Sequence, residues 1–265
     1  MNRNYLNKVV WITGASSGIG AELARQFDSE GARLVLSARN ELSLNELKAS
    51  LKGSKNHLVL QLDLAKSENF NALARKVMDD MGAIDVLINN GGISQRATAS
   101  ETSMEVEREI MEVNYFGNIA LSKAVLPFMQ QQNNGQILVI SSIAGKFGFF
   151  LRSAYSASKH ALMGYFESLS LEEAKNNIKI TIACPGKINT EISRNALGAN
   201  GKKHGVMDNN QITGMSVEEC VTQLIIALKK EKREVLIGGK EVFAVKIKRF
   251  FPALFWRIIR NQKAT

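Results

Sequence analysis

The feature that most constrains this chain is an alternation of short apolar runs with longer amphipathic stretches. Parallel strands need crossover connections, which are usually helices, so this rhythm points to a parallel sheet rather than to hairpins. The apolar runs are Lys8–Thr13, Leu34–Leu36, Leu58–Leu60, Ile84–Ile88, Ile137–Ile140, Ile178–Ala183 and Glu234–Ile237. Helical periodicity is expected over about Ile19–Glu30 with a stop at Gly31, over Glu41–Leu51 and Glu68–Met81, and near 104–131, 154–175 and 216–230. The expected fold is α/β, a doubly wound parallel sheet of about seven strands with helices on both faces. It would occupy residues 1–241, followed by a basic amphipathic tail over 242–265.

Composition narrows the function classes. The 265 residues are 45% hydrophobic and 22% charged, ordinary for a globular chain. Two cysteines, Cys184 and Cys220, cannot make a disulfide framework. Met1–Lys8 leads into the first strand without an apolar signal region, and no apolar run reaches the length of a spanning helix. A cytoplasmic chain is expected, with no metal site. The net charge of +9 is uneven: residues 229–265 hold eleven Lys and Arg against three Glu, so the first 228 residues carry about +1. A nucleic-acid binder spreads its charge over a recognition surface, and this chain does not.

After the first strand comes Thr13-Gly14-Ala15-Ser16-Ser17-Gly18-Ile19-Gly20, which opens a helix. Glycines let backbone N–H groups approach a pyrophosphate, and the helix N-terminus adds partial positive charge. A Rossmann-like nucleotide-binding turn follows, with Gly14, Ser16, Ser17, Gly18, Ile19 and Gly20 as its contacts. The same stretch fits the G-x-S-x-G elbow of α/β-hydrolases. That elbow follows a strand with several others already laid down, whereas this one follows the first.

Tyr155-Ser156-Ala157-Ser158-Lys159 places a phenol and an ammonium four residues apart, on one helix face. A free phenol titrates near 10, and a neighbouring cation favours its anion, so the pair suits acid/base work. Ser141-Ser142 ends a strand thirteen residues earlier, at the sheet edge where ligands bind.

Together the T-G-x-x-x-G-I-G turn, Asn89-Asn90-Gly91-Gly92, Asn114, Ser142, Tyr155/Lys159 and Pro185-Gly186 with Thr190 resemble the single-domain short-chain dehydrogenase/reductases over roughly residues 7–240. The stretches Ile88–Arg96, Ser153–Ala161 and Gly205–Asp208 are similar to the member-7 and member-7B branch. The resemblance implies that Tyr155 exchanges a proton, Ser142 orients the substrate oxygen, Lys159 holds the nicotinamide ribose and Asn114 supports a relay water. It further implies cofactor contacts at Asp63, Leu64, Asn90, Pro185, Ile188 and Thr190. A membrane-associated enzyme of lipid-, steroid- or retinoid-like substrates is implied, commonly a homodimer or homotetramer. One departure is Gly91, where the family usually has alanine.

The second strand ends Ser37-Ala38-Arg39-Asn40. An NAD site places a carboxylate there for the ribose 2′-OH. Here Ala38 has none, and Arg39 offers a guanidinium suited to a 2′-phosphate. NADP(H) is therefore the expected cofactor, with interconversion of a carbonyl and a secondary alcohol as the reaction. The alternative is a silent nucleotide-sensing or scaffold protein of the same fold. Such proteins tend to lose Tyr, Lys or Ser first, and this chain keeps all three.

Two segments fall outside that set. Residues 186–216, rich in Asn and Gly, are expected to shape the pocket through Ile192, Leu197, Val206 and Met207. In the tail, Phe243, Ile247, Phe250, Phe251, Leu254, Phe255 and Ile258 recur at helical intervals, with Pro252 starting a second helix. Lys246, Lys248, Arg249, Arg257, Arg260 and Lys263 intervene beside Trp256. Such a segment lies in a membrane interface or caps the protein's own core or a partner subunit.

Overall fold

The computed structural model describes residues 4–208 and 212–262; Met1, Asn2, Arg3 and Lys263 lie outside them. Seven strands form one parallel sheet, β1 Val9–Thr13, β2 Arg33–Ser37, β3 Leu58–Val59, β4 Val86–Asn89, β5 Gly135–Ile140, β6 Ile178–Pro185 and β7 Glu234–Ile237. Their order is β3-β2-β1-β4-β5-β6-β7, so the winding reverses between β1 and β4. A crevice opens at such a reversal, beyond the carboxyl ends of the strands, and ligands of doubly wound sheets bind there.

The helices are α1 Gly18–Ser29, α2 Glu41–Ser50, α3 Phe70–Met81, α4 Met104–Met111, α5 Gly117–Gln132, α6 Ser153–Glu172, α7 Val217–Lys229, α8 Phe243–Phe250 and α9 Pro252–Ile259. Strand periodicity sorts their packing. On β1, Val10 and Ile12 face the core shared with Phe27 of α1, Leu44 of α2 and Leu224 of α7. Val9 and Trp11 face the opposite core with Val77 of α3, Leu121 of α5 and Phe166 of α6. Alternate side chains point to opposite faces, so one strand seeds both layers. The indole of Trp11, fully buried, donates to Ser37 Oγ at 2.9 Å.

The stretch expected to be helical near 104–131 is helical throughout, but not uniformly α-helical. A π-helical turn, Glu112–Phe116, separates α4 from α5 and carries Asn114. Such a bulge widens the helix by one residue, and that is how this stretch turns Asn114 inward.

The tail forms two short helices, with Pro252 at the first position of α9. Its apolar residues do not share one face. Phe255 is 2% exposed and meets Phe147 edge-on at 5.2 Å, joined by Ile259 and Ile247. Phe243, Phe250, Phe251, Leu254, Trp256 and Ile258 face outward.

Candidate active site

The crevice is built from the ends of β1, β4, β5 and β6. Thr13 closes β1, and its hydroxyl donates to the Ile88 carbonyl while accepting from the N–H groups of Asn90 and Gly91 at 3.0 and 2.9 Å. Asn90 returns the link, its amide donating to the carbonyls of Thr13 and Gly14. Gly14 has φ +63, and a Cβ there would stand 2.9 Å from both the Asn90 amide and the Gly91 Cα. A Cβ on Gly20 would come within 2.2 Å of the Gly14 carbonyl oxygen, so α1 seats against the turn only without a side chain.

A dinucleotide fits this cradle. Ser17, exposed at the N-cap of α1, makes no side-chain cap bond, and the first turn holds no acidic residue. The leading N–H groups of α1 are thus left for an anionic group. Ser16 and Ile19 flank them, half-buried, and Thr190 lies beside Gly18 from the connection after β6. The methyl missing at Gly91 is replaced by Leu64, whose Cδ1 stands 2.6 Å from where that Cβ would be. Asp63 spends one carboxylate oxygen on the Ala65 N–H at 3.0 Å, closing the turn after β3. Ile188 is buried and pairs with Met215. Arg39 is exposed, and its guanidinium makes no hydrogen bond or ion pair to the described residues. The carbonyl of Arg39 accepts from Gln61 at 2.8 Å.

Ser142, Tyr155, Lys159 and Asn114 come from three elements. Ser142 follows β5, accepting from the Ala144 N–H at 3.1 Å and donating to the Pro185 carbonyl at 3.4 Å, which ties β5 to the end of β6. Burial raises the Tyr155 phenol above its ordinary value, while Arg152 and the Ser142 side chain pull it the other way. Lys159 is 4% exposed, donates to the Ile140 carbonyl at 2.8 Å and stands 5.7 Å from the Tyr155 ring centre. Burial pulls its ammonium down to about 8. Burial outweighs the opposing influences on the phenol, and the cation among them is Arg152. Asn114 accepts from the Ile93 N–H at 2.8 Å and donates to the Ile93 carbonyl and Ser158 Oγ at 2.9 and 3.0 Å. A Cβ on Gly92 would lie 3.0 Å from Asn114 Oδ1 and 3.6 Å from Lys159 Nζ, so both polar groups border one space.

Some of the site was not read from the sequence as functional. Gln95 is fully buried, and its Oε1 accepts from the N–H groups of Ala154 and Tyr155 at 2.8 and 3.4 Å, fixing the start of α6. Nothing local marks it, because its partners lie nearly sixty positions away. Of the expected pocket lining, Leu197 instead packs on Val106, Ile110 and Ala154, and Val206 is exposed; Ile192 and Met207 are half-buried. His204, the residue a hydrolase triad would need, is exposed on the same connection.

Residues 8–200 match the model of the short chain dehydrogenase family. Dehydrogenase/reductase SDR family member 7B of Mus musculus is 44% identical over 262 residues, 97% of this chain and 81% of the mouse protein. The Dehydrogenase/reductase SDR family protein 7-like of Anopheles gambiae is 42% identical over 89% of this chain and 77% of its own. A short chain dehydrogenase of Burkholderia cenocepacia, solved in complex with NADP, superposes with a TM-score of 0.80 at 26% identity, covering 97% and 99% of the two chains. One of Burkholderia phymatum, solved with NAD, gives 0.84 at 22% identity over 95% and 96%, a likeness of fold. The nucleotide cradle, the Ser142–Tyr155–Lys159 cluster and these relatives agree: the chain belongs to the short-chain dehydrogenase/reductase family, in its member-7/7B branch, and is an oxidoreductase that uses a nicotinamide cofactor on CH–OH groups.

Proposed function

We propose that the chain is an NADP(H)-dependent oxidoreductase that interconverts a carbonyl and a secondary alcohol on an apolar, lipid-, steroid- or retinoid-like substrate. The observation that carries the chemistry is the buried Tyr155, whose phenol Ser142 pulls toward its anion and whose ring stands 5.7 Å from the Lys159 ammonium at the crevice edge. Bound in the crevice, the nicotinamide supplies or takes the hydride. Tyr155 gives its phenolic proton to the substrate oxygen in reduction and takes one back in oxidation. Ser142 turns its hydroxyl from the Pro185 carbonyl to that oxygen and holds it against the phenol. Lys159 holds the ribose with the face it does not give to Ile140. Asn114, fixed at Ile93 and Ser158, anchors the turn from which a relay water is held.

Arg39 supports the choice of NADP(H). It stands exposed at the end of β2, where no carboxylate competes for the ribose, and it is free to meet a 2′-phosphate. Purified protein should oxidise NADPH faster than NADH against sterol, retinal, acyl-glycerone-phosphate and small-ketone panels. Binding of NADPH with no turnover on any of them would favour the scaffold reading instead.

The outward tail face supports peripheral membrane contact. Lys246 and Arg249 lie over the exposed rings of Phe243 and Phe250 at 5.7 and 5.9 Å, beside exposed Phe251 and Trp256. Basic and aromatic groups on one outer face suit an anionic lipid surface. Among the described residues no helix is long and apolar enough to cross a membrane. Sedimentation with anionic vesicles, lost at high salt, tests it. A homodimer or homotetramer built on the long helices that carry Asn114 and Tyr155 is the assembly proposed, supported by the exposure of Phe116 and Leu171 on them. Light scattering reads its mass.

A further inference from the structure

Beside Tyr155 lies a charged cluster that this chemistry does not use. Arg152 immediately precedes α6, and its Nη2 stands 2.8 Å from one oxygen of Asp208. Arg96, in the connection after β4, places Nη2 2.7 Å from the other oxygen. The side chains of Arg96, Arg152 and Asp208 are 2%, 13% and 4% exposed. One buried carboxylate therefore holds two guanidiniums, and a positive charge is left over in a poorly solvated place. Burying charges is costly, so the cluster adds little as a plain stabiliser.

The hydrogen bonds around it join three segments. Arg152 Nη1 donates to Ser94 Oγ at 2.7 Å, and the Asp208 N–H donates to Ser193 Oγ at 3.2 Å. The Arg96 N–H donates to the Leu197 carbonyl at 2.7 Å, and the Leu197 N–H to the Ser94 carbonyl at 2.8 Å. Gln95, between them, holds the first turn of α6. The 94–96 segment is thus laced on one side to the connection 193–208 and on the other to the turn that carries Tyr155.

We propose that Arg152 is a positioning residue for proton exchange at Tyr155, and that Asp208 is the strap that holds it there. Seating of the 193–208 segment and readiness of the phenol are then one event. This rests on the reading of Tyr155 as the proton-exchanging group. Arg152 at the start of its own helix and Ser142 after β5 act on the Tyr155 phenol, and Lys159, one turn along, stands 5.7 Å from its ring; Asp208 pairs with both Arg152 and Arg96, and Cys184 of β6 acts on Lys159. Of these, Arg152 and Ser142 pull the phenol toward its anion. When the connection lifts, Asp208 leaves with it, and Arg152 loses the partner that keeps its charge out of water. A cation that moves into solvent is screened, and its pull on the phenol fades.

The test is the tyrosinate absorbance of the full chain with NADP bound, titrated against pH and corrected with Tyr155→Phe so that one phenol is read. Arg152→Gln should raise the midpoint by about 0.5–1 pH unit, and Arg152→Lys should return most of that shift because it keeps the charge. Asp208→Asn should speed amide exchange over 193–208 and raise the midpoint with it. The proposal is overturned if Arg152→Gln titrates as wild type, if the Lys and Gln variants shift alike, or if Asp208→Asn loosens the connection and leaves the midpoint in place. Circular dichroism follows the fold at each pH. Should Arg152→Gln unfold before the phenol titrates, exchange at neutral pH decides, and unchanged protection over 193–208 in Asp208→Asn overturns the strap. A Tyr155→Phe variant that kept its turnover would sink the underlying reading instead, whatever Arg152 did.

Discussion

Lys159 gives its ammonium to the carbonyl of Ile140 at 2.8 Å, while the ring centre of Tyr155 stands 5.7 Å away. The two residues share a helix face, as their spacing requires, yet the charge is spent on the end of β5. The lysine therefore ties α6 to the sheet at the crevice edge and keeps its remaining donors for a ligand. It also leaves burial in control of the phenol, which is held above its ordinary value.

A protonated Tyr155 at neutral pH is matched to reduction, where it must give a proton away. Tyr155→Phe keeps the buried ring and removes that proton. Turnover should fall about 10²–10⁴-fold while dinucleotide binding persists. Steady-state rates beside a fluorescence titration with NADPH measure both, and a variant with a third of the wild-type rate would end the assignment.

Lys159 itself carries a pH signature. Its folded value is pulled down to about 8 from 10.5, so between these the unfolded chain binds more protons and stability rises with pH. Below about 8 the fold bears a buried charge whose cost is on the order of 3 kcal/mol, partly offset by the bond to Ile140. Lys159→Met should melt no lower than wild type at pH 6–7, with any advantage shrinking from pH 8 towards 10.5, while turnover is lost. An advantage that does not change with pH would contradict the sign.

Asp28 is shifted the same way, but there the fold favours the charged form. Burial alone would raise its carboxyl, but the N–H groups of Gly53 and Lys52, at 2.9 and 2.8 Å, and His57 outweigh that and lower it. The Leu34 N–H donates to His57 Nδ1 at 3.2 Å, so Nε2 is the atom that donates to Asp28 at 2.9 Å. A depressed carboxylate stabilises the fold above its ordinary value of 3.8, and that contribution is lost as pH falls through the folded value. Asp28→Asn should cost about 1.5–3 kcal/mol at pH 7. The difference from wild type should shrink below pH 4, as urea melts at stepped pH would show.

Arg39→Ala tests the cofactor. Loss of a charge-assisted contact to a 2′-phosphate is worth about 1.5–3 kcal/mol, so NADPH affinity should fall roughly ten- to a hundredfold, with NADH little changed. Equal losses for both cofactors, measured by calorimetry, would make Arg39 structural.

The tail separates by residue. Phe255→Ala empties a buried place against Phe147 and should lower stability by about 3–5 kcal/mol. Phe251→Ala, at an exposed position, should leave thermal stability within about 0.5 kcal/mol and weaken vesicle binding. Melts and sedimentation on the same two variants tell the inner face from the outer.

The sequence by itself determined the layered fold, the nucleotide turn and the order of Ser142, Tyr155 and Lys159. Those signals are local: a period of two or of 3.6, a glycine that a turn demands, a pair four residues apart. Tertiary structure decided what no window of the chain contains. Arg96 and Asp208 meet across more than a hundred positions, Gln95 reaches Tyr155 across sixty, and a π-helical turn at Asn114 interrupts the α-helical period without ending the helix. It also decided which tail aromatics turn inward. Phe251 and Phe255 look alike to a hydropathy pattern, and only Phe255 faces Phe147, because burial depends on what the rest of the chain brings to that surface.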